Sequence, residues 1–424
     1  MIKKEQQYTE EIGRLFYPFV GEWAYDNIEI TFQVTEACSL ACTYCYQHDK
    51  SPKVMSFEVA KKMVDRIFKD YSEKFCIVLE FIGGEPLLQA GLIKRIIDYW
   101  YYKCVMENSR WGMLTRFSIC SNGTEWDTPE VQELFDYAGK FISFTVSIDG
   151  NKELHDSARL HPDGRGSYDE AMHAATEYEK RYQVSLGSKM TIAPSNIIFL
   201  YPAIKHYILQ GKTDIHANTV YEEGWTTDDA RLFYKELKKI ADYLLDNDLE
   251  EDVYVSLFEE EFFTPEPEDN QQVWCGGAGK MLACDPDGKL YPCLRYMPSS
   301  VGYEKKPITC GDVDHGVDRD LLNAMQTITR RSISTDKCYY CPIATGCSYC
   351  IAYNWETFGT INSRTTFTCE MHQARALANV YFWNKLYRKH NRADRKKNNV
   401  PEDWALNIVS KEELIMLNDL ALED

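Results

Sequence analysis

No apolar run in this 424-residue sequence is long enough to cross a bilayer, which takes about 20 residues, and no charged-then-apolar segment of the signal-peptide kind opens it. A membrane partner is therefore not expected, and the cytoplasm is the expected location. Positive charge is also scarce: 47 Lys and Arg stand against 65 Asp and Glu, a formal net charge of −18. Nucleic-acid binding rests on a basic footprint, so DNA and RNA are discounted as partners. A glycine-rich dinucleotide loop is missing as well. Cysteine, by contrast, is abundant, with fifteen residues. In a reducing compartment, clustered thiols serve as metal ligands more readily than as disulfides.

The hydrophobic pattern alternates between two periods. Strand-like runs fall at Ile28–Val34, Cys76–Ile82, Phe117–Cys120, Phe141–Ile148, Leu186–Ile192 and Ile215–Tyr221. Helical patterns fall at Ser56–Tyr71, Leu88–Met106, Pro129–Ala138, Tyr168–Tyr182, Ile197–Gln210 and Asp228–Leu245. Strand alternating with helix implies a parallel sheet, and without a dinucleotide loop the expected fold is α/β, a partial (β/α)6 TIM barrel. Sites of such barrels lie at the carboxyl ends of the strands.

Chemistry-bearing residues stand at those ends. After the first run come Cys38-x3-Cys42-x2-Cys45, with Tyr44 before the last thiol; after the second, Gly83-Gly84-Glu85-Pro86. After the third come Ser121-Asn122-Gly123-Thr124, and after the fourth Ser147-Ile148-Asp149-Gly150 and then His155-Asp156-x2-Arg159. Three thiolates hold three corners of a four-iron cluster and leave one iron open to a small molecule. Zinc, which usually takes four ligands in paired spacings, is the alternative. Gly83 and Gly84 lack a Cβ and let a ligand approach the backbone, whereas Ser and Asn are also ordinary turn residues. Arg159 suits a carboxylate clamp, with Arg165 as its fallback, or else pairs internally with Asp156.

From Asp246 to Asn270 the composition turns acidic, and Pro265-Glu266-Pro267-Glu268 favours an extended connection. The expected organisation is an N-terminal extension over 1–27, a barrel over 28–250, a linker over 251–274, a Cys-rich domain over 275–374 and a helical tail over 375–424. Within the Cys-rich part, Cys275 is followed after twelve residues by Gly288 and after four more by Cys293. Then come Cys338-x2-Cys341-x5-Cys347-x2-Cys350 and, later, Cys369. Cys76, Cys104 and Cys120 fall in strand or helix patterns and are expected in the core. A basic run, Arg388–Lys397, precedes an acidic helical stretch from Pro401 to Leu422.

The Cys38–Cys45 spacing, with Tyr44 before its last thiol, resembles the signature of the radical S-adenosylmethionine (SAM) superfamily. The later cysteines resemble that superfamily's SPASM extension, although the gap of Ser348 and Tyr349 is one residue shorter than the family pattern. The resemblance implies a [4Fe–4S] cluster on Cys38, Cys42 and Cys45 whose open iron chelates SAM. It implies that Gly83, Gly84 and Glu85 bind the SAM amine, while Ser121, Asn122, Ser147, Asp149 and Arg159 serve the ribose and the methionyl carboxylate. Two auxiliary [4Fe–4S] clusters are implied: a distal one on Cys338, Cys341, Cys347 and Cys369, and a nearer one on Cys275, Cys293 and Cys350. The nearer set is one ligand short. Cys310 is the candidate to complete it, and Cys284, next to the turn of the Asp285–Gly288 hairpin, is less favoured. Failing both, an open iron is left to take a substrate thiolate.

Two features choose an expected activity. Sulfatase-maturing members carry Asp immediately after the Cys equivalent to Cys293, where this chain has Leu294. The stretches Ile215–Glu222 and Cys275–Met281 are similar to maturases that form thioethers in ribosomally made peptides. The expectation is thus an oxidoreductase acting on a Cys-containing precursor peptide, with an electron donor such as flavodoxin or ferredoxin. With 37 residues before Cys38, leader recognition is expected at the barrel rim, in the C-terminal tail or on a separate protein. The alternatives are a carbon–carbon crosslink, formylglycine formation, or a non-catalytic iron–sulfur electron carrier, against which Gly83–Pro86 speaks.

Overall fold

The structure is a computed structural model that describes residues 27–222, 224–273, 275–302, 304–392 and 402–422. The expected extension up to residue 26, and residues 393–397 of the basic run, lie outside the described residues. Two compact units divide the chain. The first takes in residues up to Ser147, Asp156–Leu186 and Cys275–Ile328, and the second Ile148–His155, the stretch from Gly187 to the Cys-rich part, and the chain from Thr329.

In the first unit, β1 (Asn27–Thr35), β2 (Cys76–Gly83), β3 (Thr115–Ser121) and β4 (Ile142–Val146) pair in parallel and in chain order. Parallel pairing needs a crossover, and the helices Phe57–Asp70, Ala90–Met106 and Pro129–Ala138 supply it. The first of these starts where Ser56 accepts the Val59 N–H, a side-chain cap, and buries Ala60, Met63, Val64 and Ile67. Pro129 opens the third, where its missing N–H costs nothing.

The same sheet continues past β1 on its other edge. β8 (Met281–Cys284) pairs with β1 in parallel, Ile30 opposite Leu282. β9 (Lys289–Tyr291) returns antiparallel, followed by β10 (Gly311–Asp312) and β11 (Gly316–Val317), giving the order β11-β10-β9-β8-β1-β2-β3-β4. With neighbours on both edges, β1 is buried on both faces: Ile30, Phe32 and Val34 are fully covered, and Thr31 and Gln33 nearly so. Two of its polar side chains donate hydrogen bonds. Thr31 donates to Glu80 at 2.7 Å and Gln33 to Ser299 at 2.9 Å.

In the second unit, β5 (Ser188–Ile192) and β6 (Asp214–Thr219) pair in parallel, and β7 (Tyr254–Val255) adds to β6. β7 arises in the acidic segment expected to be a plain connection, and two residues are too few to leave a period in the sequence. The helix Thr227–Asp246 packs on the long helix Cys369–Lys389, where Tyr381 and Lys385 both reach Asp242, at 2.5 and 2.7 Å. The acidic C-terminal stretch forms two helices, Glu402–Ile408 and Lys411–Ala421, because Ser410 caps the second. No helix among the described residues is long and apolar enough to cross a membrane.

Because β1 carries the central pairing of its sheet, Ile30→Ala is expected to cost about 2–5 kcal/mol of stability. The measurement is a urea unfolding curve followed by circular dichroism, and an unchanged midpoint would contradict the placement of Ile30 in the core.

Candidate active site

β1 ends at Thr35, and the loop that follows carries Cys38, Cys42 and Cys45, all partly exposed. Backbone bonds pin this loop from several sides. Glu85 N–H donates to Ala37 O at 2.8 Å, Ala41 N–H to Leu160 O at 2.7 Å and Thr43 N–H to Ala158 O at 3.0 Å. The last two acceptors flank Arg159, whose guanidinium lies 5.4 Å from the centre of the Tyr44 ring, a cation–π contact. Asp156, the internal partner considered for Arg159, accepts from Tyr168 N–H at 2.9 Å. The fallback, Arg165, is an exposed residue paired with Asp163 at 2.9 Å.

Gly83 and Gly84 lie directly beneath the Cys loop. A Cβ at Gly84 would stand 2.4 Å from Ala37 O and 2.7 Å from Cys38 Cβ, and one at Gly83 would stand 2.5 Å from Thr35 O. No carbon tolerates those distances, so the closest thing these glycines admit is the thiol-bearing backbone.

The next residue, Glu85, is 1% exposed. Its carboxylate accepts from Leu87 N–H at 2.9 Å, from the Ser121 hydroxyl at 2.8 Å and from Asn122 N–H at 2.8 Å. These bonds tie the end of β2 to the end of β3. Burial nevertheless dominates and pushes the Glu85 carboxyl up from 4.5 to about 7. Ser121 is committed on both sides, since it also accepts from Gly123 N–H at 2.9 Å. Asn122 turns its amide toward the thiols, donating to Ser39 Oγ at 3.1 Å with Cys38 Sγ at 3.9 Å. Leu40 N–H donates to the same sulfur at 3.4 Å. Burial pushes the Cys38 thiol up to about 11, opposed by Lys50, which donates to Leu40 O at 2.8 Å. A metal-bound sulfur is a thiolate, and metal binding itself drives off the proton.

Ser147 joins the end of β4 to that of β3 through its N–H, which donates to Ser121 O at 2.8 Å. Its hydroxyl lies 3.6 Å from Cys120 Sγ, and Cys120, expected in the core, is partly exposed here. Cys76 and Cys104 are buried. Asp149 belongs to the second unit, where its buried carboxylate accepts from Thr191 N–H at 3.1 Å and its own N–H donates to His155 Nδ1 at 3.2 Å. Ser39 and Lys50 escaped the sequence reading, since a lone serine or lysine in a loop carries no spacing to mark it.

The later cysteines fall into two groups. In the first unit, Cys275 and Cys293 flank Gly277, whose Cβ would stand 3.5 and 3.4 Å from the two sulfurs. Cys310 is fully buried beside Tyr71, and burial pushes its thiol up to about 12. Cys284 is fully buried next to the hairpin turn, and its thiol too is raised strongly. In the second unit, Cys338, Cys341, Cys347 and Cys369 are electrostatic neighbours: burial raises the Cys369 thiol to about 11, and the three other sulfurs add to the shift. Cys350 lies in the same unit, where its sulfur caps the helix Ile351–Phe358 by accepting from Tyr353 N–H at 3.4 Å.

Among the described residues, no three His, Cys, Asp or Glu side chains close on a position that would hold a single metal ion. Four thiolates on one zinc at about 2.3 Å would have to crowd within about 4 Å of one another. A cluster spreads its thiolates over separate irons, and sulfur-only sets that accept N–H bonds fit that demand. The Cys38, Cys42 and Cys45 set, three thiols on one loop with Leu40 N–H donated to the Cys38 sulfur, is of a kind that would hold a [4Fe–4S] cluster, and Cys338, Cys341, Cys347 and Cys369, with Arg364 donating to Cys347, form a second all-sulfur set.

Two expectations follow. Gly84→Ala should lose most of the iron that the Cys38 loop takes up on anaerobic reconstitution, whereas Gly91→Ala, which meets nothing within 4 Å, should hold it and gain up to about 1 kcal/mol of stability; iron assay and urea unfolding read both. Secondly, Glu85 binds its proton better folded than unfolded, so its contribution to stability is full below pH 4.5 and is lost as pH rises through about 7. Glu85→Gln should remove that slope, and a difference between wild type and variant that stays flat from about pH 5 to 8 would contradict the burial of this carboxyl.

Residues 32–192 match the model of the radical SAM superfamily. The cysteine-type anaerobic sulfatase-maturating enzyme of Clostridium novyi is 31% identical over 144 residues, 32% of this chain and 36% of that protein. The sporulation killing factor maturation protein SkfB of Bacillus subtilis is 27% identical over 217 residues, 46% of this chain and 48% of that protein. The chain thus spans about a third to a half of the length of these curated relatives. Among solved structures, native anSMEcpe with bound AdoMet and Cp18Cys peptide superposes over 86% of this chain and 99% of that one, with a TM-score of 0.64 at 18% identity, a likeness of fold. With the thiol loop, the glycine pair and the Glu85 network gathered at the strand ends inside the matched segment, residues 32–192 are a radical SAM domain, of the superfamily that uses a [4Fe–4S] cluster and SAM.

Proposed function

We propose that this chain is a radical SAM peptide maturase that forms Cys-derived thioether crosslinks in a ribosomally made precursor peptide. The observation that carries the reading is the convergence of three thiols, the Gly83–Glu85 turn and Ser121–Asn122 at the carboxyl ends of β1, β2 and β3. Two similar proteins support a peptide substrate: one is a maturation protein of the sporulation killing factor, and another has AdoMet and a peptide bound. Leu294, where sulfatase-maturing members carry Asp, favours thioether formation over formylglycine.

With SAM bound, a [4Fe–4S] cluster on Cys38, Cys42 and Cys45 supplies a 5′-deoxyadenosyl radical. The chain's own residues prepare for that chemistry. Leu40 N–H donates to the Cys38 sulfur, with the Asn122 amide beside it, and so would stabilise the thiolate once metal binding has driven off its proton, while the backbone of Gly83 and Gly84 offers carbonyls to the methionyl ammonium. Arg159, placed over Tyr44 at the last thiol, offers its guanidinium to the methionyl carboxylate. In the peptide, one C–H and one S–H bond break and one C–S bond forms. One hydrogen leaves on 5′-deoxyadenosine and the other as a proton, and the remaining electron needs an acceptor, for which Cys275, Cys293, Cys350 and the distal four thiols provide ligands. A donor such as flavodoxin or ferredoxin supplies the reducing electron, and a cytoplasmic setting keeps the thiols reduced.

Reduced enzyme, SAM and a Cys-containing candidate precursor should yield a product lighter by about two mass units per crosslink, and alkylating the peptide cysteine should block the change. An unchanged peptide mass while SAM is cleaved would contradict the maturase reading. A loss that survives alkylation would replace thioether by carbon–carbon crosslinking.

A further inference from the structure

We infer that Arg364 is a positioning residue for the distal thiol set, a cation whose N–H bond to Cys347 raises the reduction potential of the cluster bound there. The inference rests on reading Cys338, Cys341, Cys347 and Cys369 as the ligands of one cluster. Arg364 stands in the segment between the helices Ile351–Phe358 and Cys369–Lys389. Its Nη2 lies 2.8 Å from Cys347 Sγ and 3.3 Å from Cys347 O, and its guanidinium stacks 4.1 Å from the centre of the Tyr349 ring. The ring and the carbonyl fix the plane of the guanidinium, and the sulfur accepts an N–H bond from Nη2.

The choice of partner is the telling feature. The chain carries 65 acidic against 47 basic side chains, yet among the described residues the hydrogen bonds of Arg364 go to Cys347 and it has no carboxylate partner. A guanidinium placed against sulfur in a carboxylate-rich protein answers a negative charge on that sulfur. Its field also reaches Cys341, while Lys337 acts on Cys341 and Cys369. The other basic groups on the neighbouring helix are spent elsewhere. Arg375 caps the carbonyls of Ser256 and Leu257, and His372 Nε2 lies 2.8 Å from Ile343 O.

Four thiolates on an iron–sulfur core leave a net negative charge, which grows when the core gains an electron. A cation hydrogen-bonded to a ligand sulfur therefore stabilises the reduced form more than the oxidised one, and the potential rises. Lysine preserves the charge without the planar fork, and glutamine preserves an N–H donor without the charge.

The test uses the full chain, purified and reconstituted anaerobically, as wild type, Arg364→Lys, Arg364→Gln and Cys347→Ala. Iron and sulfide content are measured, and redox titrations are followed by electron paramagnetic resonance. The signal absent from Cys347→Ala marks the distal cluster. With iron content unchanged, the midpoint of that signal should move to lower potential in Arg364→Gln and by a smaller amount in Arg364→Lys, while the midpoint of the cluster on Cys38, Cys42 and Cys45 stays put. An unmoved distal midpoint, or loss of iron in both Arg364 variants, would overturn the inference and leave Arg364 a brace for the Cys347 loop. If Cys347→Ala lacks no signal that the wild type shows, the distal ligand reading fails, and the inference with it.

Discussion

The thiol loop can sit where it does only because the chain beneath it has no side chain. At Gly84 the space a Cβ would take is already filled by Ala37 O and the Cys38 Cβ. The following residue then locks the arrangement: Glu85 N–H holds Ala37 O, while its carboxylate gathers Leu87, Ser121 and Asn122. A buried carboxylate that lost one of these donors would bear a desolvation penalty of about 1–3 kcal/mol. The burial cost that raises its pKa is thus the cost of making three strand ends into one rigid rim. Asn122, fixed by that rim, then extends its amide to Ser39 and toward the Cys38 sulfur.

β1 is the other half of the constraint. It is paired on both edges, with β8 over Glu29–Phe32 and with β2 on through Thr35, so the strand cannot shift without disturbing both. Burying side chains such as Ile30 and Phe32 stabilises that position by about 1.5–3 kcal/mol each. The β8–β9 hairpin places Cys284 beside the turn, while Cys275 and Cys293 lie toward its open end, on either side of Gly277. The same sheet therefore anchors the thiol loop and carries two of the later cysteines.

Much of this is legible in the sequence. All six strand runs form, and the helices Pro129–Ala138 and Tyr168–Tyr182 have the bounds their periodicity gives, because a proline start and a buried alanine–tyrosine stripe are local properties. The Cys38–Cys45 spacing and Gly83–Pro86 were legible for the same reason: the chemistry demands adjacent residues. What escaped is non-local. The pairing of β8 with β1 joins residues some 250 apart in sequence, and such a pairing leaves no mark in either segment. β7 is two residues long and has no period. The sequence assigns the glycines to a ligand, and the structure adds the close approach of the thiol loop that they also admit. Arg364 had no motif to announce it, since a lone arginine in a loop shows its meaning only beside Cys347.

The central claim is that the three N-terminal thiols hold a cluster that opens SAM. The most direct measurement is the yield of 5′-deoxyadenosine when anaerobically reconstituted, chemically reduced enzyme is given SAM alone, for the wild type and for a variant with Cys38, Cys42 and Cys45 all replaced by alanine. The account predicts product from the wild type and none above background from the triple variant, although the downstream cysteines still load iron. Equal yields from the two would contradict it.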